Sequence, residues 1–142
     1  MSKLKAAILA GVLLLGIHAW VLLTGWYAWH KWFDIPMHIA GGAIIGVMAL
    51  GLWEIAIKKV TLNRNVNPRW QVVIYWLGII GCTALVGIAW EWYEFAADNT
   101  AVVASHRELI AQMGVGDTLA DLFFDLLGAT LSFLIWRQRS SL

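Results

Sequence analysis

The sequence predicts an all-α integral membrane protein, a four-helix bundle forming a single transmembrane domain over residues 1–142. Three observations predict it. Of 142 residues, 61% are hydrophobic and 13% charged, against about 25% charged in an ordinary soluble domain. Four apolar stretches reach the roughly 20 residues that a spanning helix needs: Ala6–Tyr27, Ile35–Ile57, Val72–Ala97 and Thr118–Trp136. The basic residues then segregate. Lys3, Lys5, Lys58, Lys59, Arg64, Arg69, Arg137 and Arg139 are eight of the ten, all on one side of a four-span bundle; Lys31 and Arg107 fall opposite. Positive charge marks the cytoplasmic side, so both termini are expected in the cytoplasm.

The first stretch follows Lys3 and Lys5 as a signal peptide would, but no small-residue cleavage site precedes a polar region. It is expected to stay as span one. His18 lies within it as a packing polar residue, distant from the acidic residues considered below. Span two opens with Asp34 and His38, with Pro36 early in the helix, and carries Gly42 and Gly46, a small-xxx-small pair that lets helices approach closely. KKVTLNRNVNPR (58–69) is the clearest linker, with Asn and Pro as turn residues. Span three holds the lone cysteine, Cys82, expected as core filler; a single cysteine excludes an internal disulfide and a Cys-based zinc cluster. Between spans three and four, Val103, His106, Ile110 and Met113 recur at helical spacing. Residues 99–115 are therefore either a short interfacial helix lying over the bundle as a lid or a polar loop with a little helix. Nine of the ten tryptophans are placed as interfacial anchors, with Trp26, Trp29, Trp32, Trp90 and Trp92 at the outer boundary and Trp53, Trp70, Trp76 and Trp136 at the inner one.

The acids carry the functional signal. All but Glu54 belong to the outer half, and Glu54 has Lys58 four residues on as a helix-surface partner. Asp34 and His38 are i, i+4 on span two. Glu91, Glu94 and Asp98 are i, i+3, i+7 on span three. Asp117, Asp121 and Asp125 are i, i+4, i+8 on span four. Each set makes one stripe on one helix face, and all three lie at one depth. The stripe from Asp117 to Asp125 descends roughly 12 Å, into hydrocarbon, where a lipid-facing carboxylate costs about 3 kcal/mol on the gentlest scales. The stripes should face one another, and facing carboxylates need counter-charge, protons or both. Lys31, Arg107 and any protonated histidine are too few for eight acids. A divalent metal ion held by oxygen ligands and an imidazole is the economical solution. Simpler roles compete at individual positions. Asp117 can be a helix N-cap, Asp34 can cap span two, Glu94 can snorkel to the interface, and Asp98 and Glu108 are expected to be solvated. Glu91, Asp121 and Asp125 are deep, with no cation within a helical turn.

FDIPMHIAGG, WEWYEF and DTLADLFFDLLGA resemble the D-x3-H-x3-G, E-x2-E and D-x3-D-x3-D/N-x2-G-A signatures of the YjdF-like family of small bacterial inner-membrane proteins and, more distantly, the VanZ family. The resemblance covers about residues 32–136 and implies a multi-pass protein of the bacterial inner membrane. It maps the family's polar residues onto Asp34, His38, Glu91, Glu94, Asp117, Asp121 and Asp125, and it supplies no activity.

Two functions follow from the residues. One is a metal-dependent hydrolase or transferase acting on a lipid head group or lipid-linked phosphate from the extracytoplasmic side. The other is a non-enzymatic ion-binding, transport or sensing protein. The lipid bilayer is the expected partner, and a homo-oligomer is compatible with the sequence. A net charge of +1 says nothing about nucleic acid, but no basic arm or RNA-reading motif appears, so no nucleic-acid partner is expected; no P-loop or serine-nucleophile motif occurs.

Overall fold

The structure, a computed structural model, describes residues 3–59, 67–106 and 109–139. Arg64, Arg107 and Glu108, weighed above, lie outside these residues. The described residues form helices and connecting turns. Four helices are long: α1 (Lys3–Leu23), α3 (Asp34–Lys59), α4 (Pro68–Asp98) and α6 (Val115–Arg139). Two are short, α2 (Trp26–Trp29) and α5 (Ala101–Ser105). The long ones have 21, 26, 31 and 25 residues, or roughly 31–46 Å, enough to cross a hydrocarbon layer of about 30 Å. Each is also apolar enough to do so.

The helix ends follow from local chemistry. The apolar run of α1 stops at Leu23 rather than continuing to Tyr27. The Thr24 hydroxyl donates to the Trp20 carbonyl at 2.8 Å, and Gly25 takes a left-handed φ of 66° that a helix cannot continue. The chain turns through α2 and a 3-10 turn at Lys31–Phe33 into α3, where Pro36 falls in the first turn and breaks no helical hydrogen bond. Asn67 caps α4 by accepting from the Arg69 amide at 2.9 Å, with Pro68 opening the helix. Thr100 caps α5. A second left-handed glycine, Gly114 (φ 108°), precedes α6.

The helix α3 touches all three other long helices, most extensively α6; α4 packs on both of these, and α1 packs chiefly on α3. The Lys3 ammonium lies 3.6 Å from Glu54, and the Trp136 indole donates to Glu54 at 3.1 Å. The start of α1 and the ends of α3 and α6 therefore share one end of the bundle, the terminal end. Glu54 is thus engaged by α1 and α6, which its sequence neighbourhood did not reveal.

The two halves of the interior differ. Toward the terminal end, Leu50, Ile79, Ala129 and Phe133 form an apolar core, flanked by Tyr75 and Trp136. Toward the other end, the acidic end, the buried residues include His38, Glu91, Glu94, Asp121 and Asp125. Much of the remaining surface is apolar and exposed, including Leu9, Val12, Leu13, Leu77 and Leu85. A water-soluble monomer does not carry so much of it, whereas lipid chains cover it at no cost. Cys82 belongs to this outer surface and fills no core; inside an apolar span, composition does not separate the lipid face from the packed face.

Candidate functional site

The site is set by how closely α3 and α6 approach. A Cβ on Gly42 would run into the Asp125 carbonyl, and one on Gly128 into the Ile39 carbonyl. A Cβ on Gly46 would meet the Ser132 hydroxyl at 2.5 Å. These three glycines let the two backbones touch. The small-xxx-small pair on α3 works as its spacing predicts, and Gly128 supplies the matching gap on α6. The helix α4 closes in at Gly87, whose Cβ would lie 2.7 Å from Asp125 Oδ2.

Contact at that seam brings His38, one turn into α3, among three carboxylates. Its Nδ1 lies 3.3 Å from Asp125 Oδ1. Its Nε2 lies 3.6 Å from Asp34 Oδ1 and 3.7 Å from Asp121 Oδ1. One ligand-type atom from each of Asp34, His38 and Asp121 falls within 4.8 Å of the others. His38 is 6% exposed and Asp121 3%. The second oxygen of Asp121, Oδ2, is buried with no hydrogen-bond partner. Asp34 is accordingly engaged with His38.

The two glutamates of α4 are buried but differently engaged. Glu94 is buried and accepts from the indole of the half-buried Trp90 at 2.9 Å, so it stays inside instead of snorkelling, and the Trp90 indole nitrogen is turned to that carboxylate. Glu91 accepts from the Gln112 side-chain amide at 3.2 Å, and its other oxygen is buried without a partner.

The segment before α6 reaches over this region, but not as a continuous helix. Helix α5 ends at Ser105, and residues 110–114 are irregular, so Val103, His106, Ile110 and Met113 do not share one helical face. The span is held by its backbone. Asp98, expected to be solvated, accepts from the amides of Ala111 and Gln112 at 3.1 and 2.9 Å. Asp117 lies inside α6 and is not its N-cap; it reaches back to the Met113 amide at 2.8 Å. So anchored, Gln112 places its amide on both Glu91 and the Thr118 hydroxyl, at 3.2 and 3.0 Å. Gln112 escaped the sequence reading because it lies off the apolar stripe used to judge that segment.

His18 is not remote from the cluster. Its Nδ1 lies 3.1 Å from the Tyr27 hydroxyl, and its ring meets Trp90 edge-on with centroids 4.8 Å apart. It lines the same cleft as Asp34, His38 and Asp125. Because α1 stops at Leu23, His18 sits little more than a turn from its end, level with His38. Burial, with Asp34, Glu94 and Asp121 nearby, pushes the Tyr27 hydroxyl pKa far up, so Tyr27 remains a neutral hydrogen-bonding group.

Of the seven residues singled out by sequence, Asp34, His38, Asp121 and Asp125 thus form one cluster. Glu91 and Glu94 are buried on α4 with other partners, and Asp117 holds the preceding loop. No curated protein and no solved structure matches the chain, so the likeness to VanZ rests on the short motifs alone. A family model does match, over residues 2–141, nearly the whole chain, and the YjdF-like signatures correspond to it. The chain belongs to that family of membrane proteins, described as "Predicted membrane protein (DUF2238)".

Proposed function

We propose that Asp34, His38 and Asp121 bind a divalent metal ion, and that the protein acts there on the phosphate-bearing head of a membrane lipid, from the extracytoplasmic side of a bacterial inner membrane. The observation that carries this reading is the environment of His38. Asp125 faces Nδ1, while Nε2 faces Asp34 and Asp121. A carboxylate on the far nitrogen of a metal-binding imidazole fixes its tautomer and raises its basicity. Asp125 would then orient His38 rather than touch the ion.

The residues fit the group. Ion–ligand bonds of about 2.0–2.6 Å place ligand atoms no more than about 4–5 Å apart, and the three candidate atoms lie within 4.8 Å of one another. An imidazolium alone would balance one of three carboxylates and would leave Asp121 Oδ2 unpartnered. An ion held by two carboxylates and one imidazole keeps positions free, and it would supply a Lewis acid for a phosphoryl oxygen. The apolar core at Leu50, Ile79, Ala129 and Phe133 fills the terminal half below the site. That favours work at one face over transport across the membrane.

The test is a set of melting curves in detergent for wild type, Asp121→Asn and Glu54→Gln, each titrated with Mg²⁺, Ca²⁺, Mn²⁺ and Zn²⁺. At about 100 times its dissociation constant, an ion should stabilise the wild type by about 2.7 kcal/mol. Glu54→Gln should respond equally and Asp121→Asn should not. A wild type that melts identically with and without every ion would refute the site.

A further inference from the structure

Beside the carboxylate cluster lies a cleft of about 430 Å³ between α1, α3 and α4. Its walls are apolar, with Val12 and Leu15 on α1, Ile44 and Met48 on α3, and Val86 on α4; Asp34, His38 and Asp125 line its head. Helix α1 packs chiefly on α3, and Val12 and Val86, on opposite rims, are both exposed. The cleft therefore opens sideways, onto the face that lipid covers.

Its dimensions select an occupant. From Asp34 to Met48 the helix rises roughly 21 Å, against about 15 Å for the hydrocarbon of one leaflet, half of the ~30 Å core. A slot of about 430 Å³ along that rise is far smaller than the space that a helix with side chains, about 10–12 Å across, would fill. The cleft also holds two buried polar atoms without hydrogen-bond partners, His18 Nε2 and Thr83 Oγ1, on side chains 8% and 1% exposed. Such atoms are normally satisfied. In the tautomer where the Tyr27 hydroxyl donates to His18 Nδ1, 3.1 Å away, Nε2 carries the proton and has no acceptor. An ester or amide carbonyl just below a lipid head supplies one.

We propose that this cleft binds one alkyl chain of a membrane amphiphile, inserted between α1 and α4, with its carbonyl at His18 and its head against Asp34 and His38. The placement of the head at an ion rests on the function proposed above; the placement of the chain rests on the cleft alone. A chain lying there would bring a lipid's head to the carboxylate cluster without leaving the bilayer.

The experiment uses two photoactivatable probes with the same diazirine-bearing saturated chain, a lysophosphatidic acid and a monoacylglycerol, added to the full-length protein in lipid nanodiscs. Adducts are mapped by peptide mass spectrometry. The expected result is labelling concentrated on cleft-lining peptides of α1, α3 and α4, reduced several-fold in Val12→Trp and in Val86→Trp but not in Leu77→Trp, which faces lipid elsewhere. Adducts spread evenly over the lipid-facing surface, or unchanged by both plugging variants, would overturn the proposal. Melting curves confirm that the plugged variants fold. Repeating the labelling with Mn²⁺ and with chelator separates the two readings: an ion strengthens the phosphate probe alone if it sits at the head, whereas both probes label the cleft without it if only the chain placement is right.

Discussion

At the scale of single residues, His38 organises the polar interior because each of its nitrogens faces a carboxylate: Asp125 on one side, Asp34 and Asp121 on the other. If Asp125 sets the tautomer, Asp125→Asn should leave the fold intact and weaken divalent-ion binding about 10–100-fold. Asp34→Asn, which removes a ligand, should weaken it at least as much; calorimetric titration of purified protein measures both, and equal affinities in wild type and Asp125→Asn would remove Asp125 from the account. Most of this cluster was legible in the sequence. Asp34, His38, Asp121 and Asp125 stand at four-residue spacings, and a carboxylate at that depth has nowhere to go but inward. The partners were not legible. Nothing local marks Gln112 as the donor to Glu91, since that pairing is made by tertiary approach; Trp90 and Glu94 stand i, i+4 on α4, a spacing that permits their bond, but the aromatic was read only as an interfacial anchor. His18 was misplaced because the end of its helix, at Thr24 and Gly25, was read four residues too late.

At the scale of elements, the seam between α3 and α6 depends on the absence of side chains at Gly42 and Gly128. Without a strong hydrophobic drive between helices in lipid, such close packing carries the association. Gly42→Val would push the α6 backbone away at Asp125. It should destabilise the protein by about 1–3 kcal/mol or more and abolish ion binding together with it, whereas Gly16→Ala, where an added Cβ meets nothing within 4 Å, should do neither. Thermal melts of the two variants decide this; an unchanged melting temperature in Gly42→Val would contradict the close approach. The loop before α6 makes a smaller contribution. Gln112→Ala removes the donor to Glu91 and should cost about 1 kcal/mol, with faster amide exchange at Ala111 and Met113; unchanged exchange there would show that Asp98 and Asp117 hold the loop without it. Gly42 and Gly46 announced the seam by their spacing; Gly128 stands in the D-x3-D-x3-D/N-x2-G-A signature without being marked there as a packing position, and Gly87 has no sequence signature beyond being glycine. The loop's course was hidden because its order comes from carboxylates bonding backbone amides, which leaves no apolar periodicity to read.

At the scale of the whole molecule, the bundle divides into an apolar terminal half and a polar acidic half, and the four spans were plain from composition alone. The side of the membrane each half faces is proposed from the basic residues, which predict that reporter fusions at Leu142 report cytoplasm and insertions after Ser105 report the opposite compartment. A reporter at Leu142 found outside would invert the site to the cytoplasmic leaflet. The same division makes the acidic half the place where an ion must sit if the carboxylates are to be compensated. The most direct measurement is elemental analysis of the detergent-purified protein after exposure to mixed divalent ions and gel filtration in metal-free buffer, for wild type and for Asp34→Asn/Asp121→Asn. The account predicts an equimolar divalent ion in the wild type, removed by chelator, and none in the double variant. A wild type without bound metal, or a double variant that retains the same amount, would contradict it.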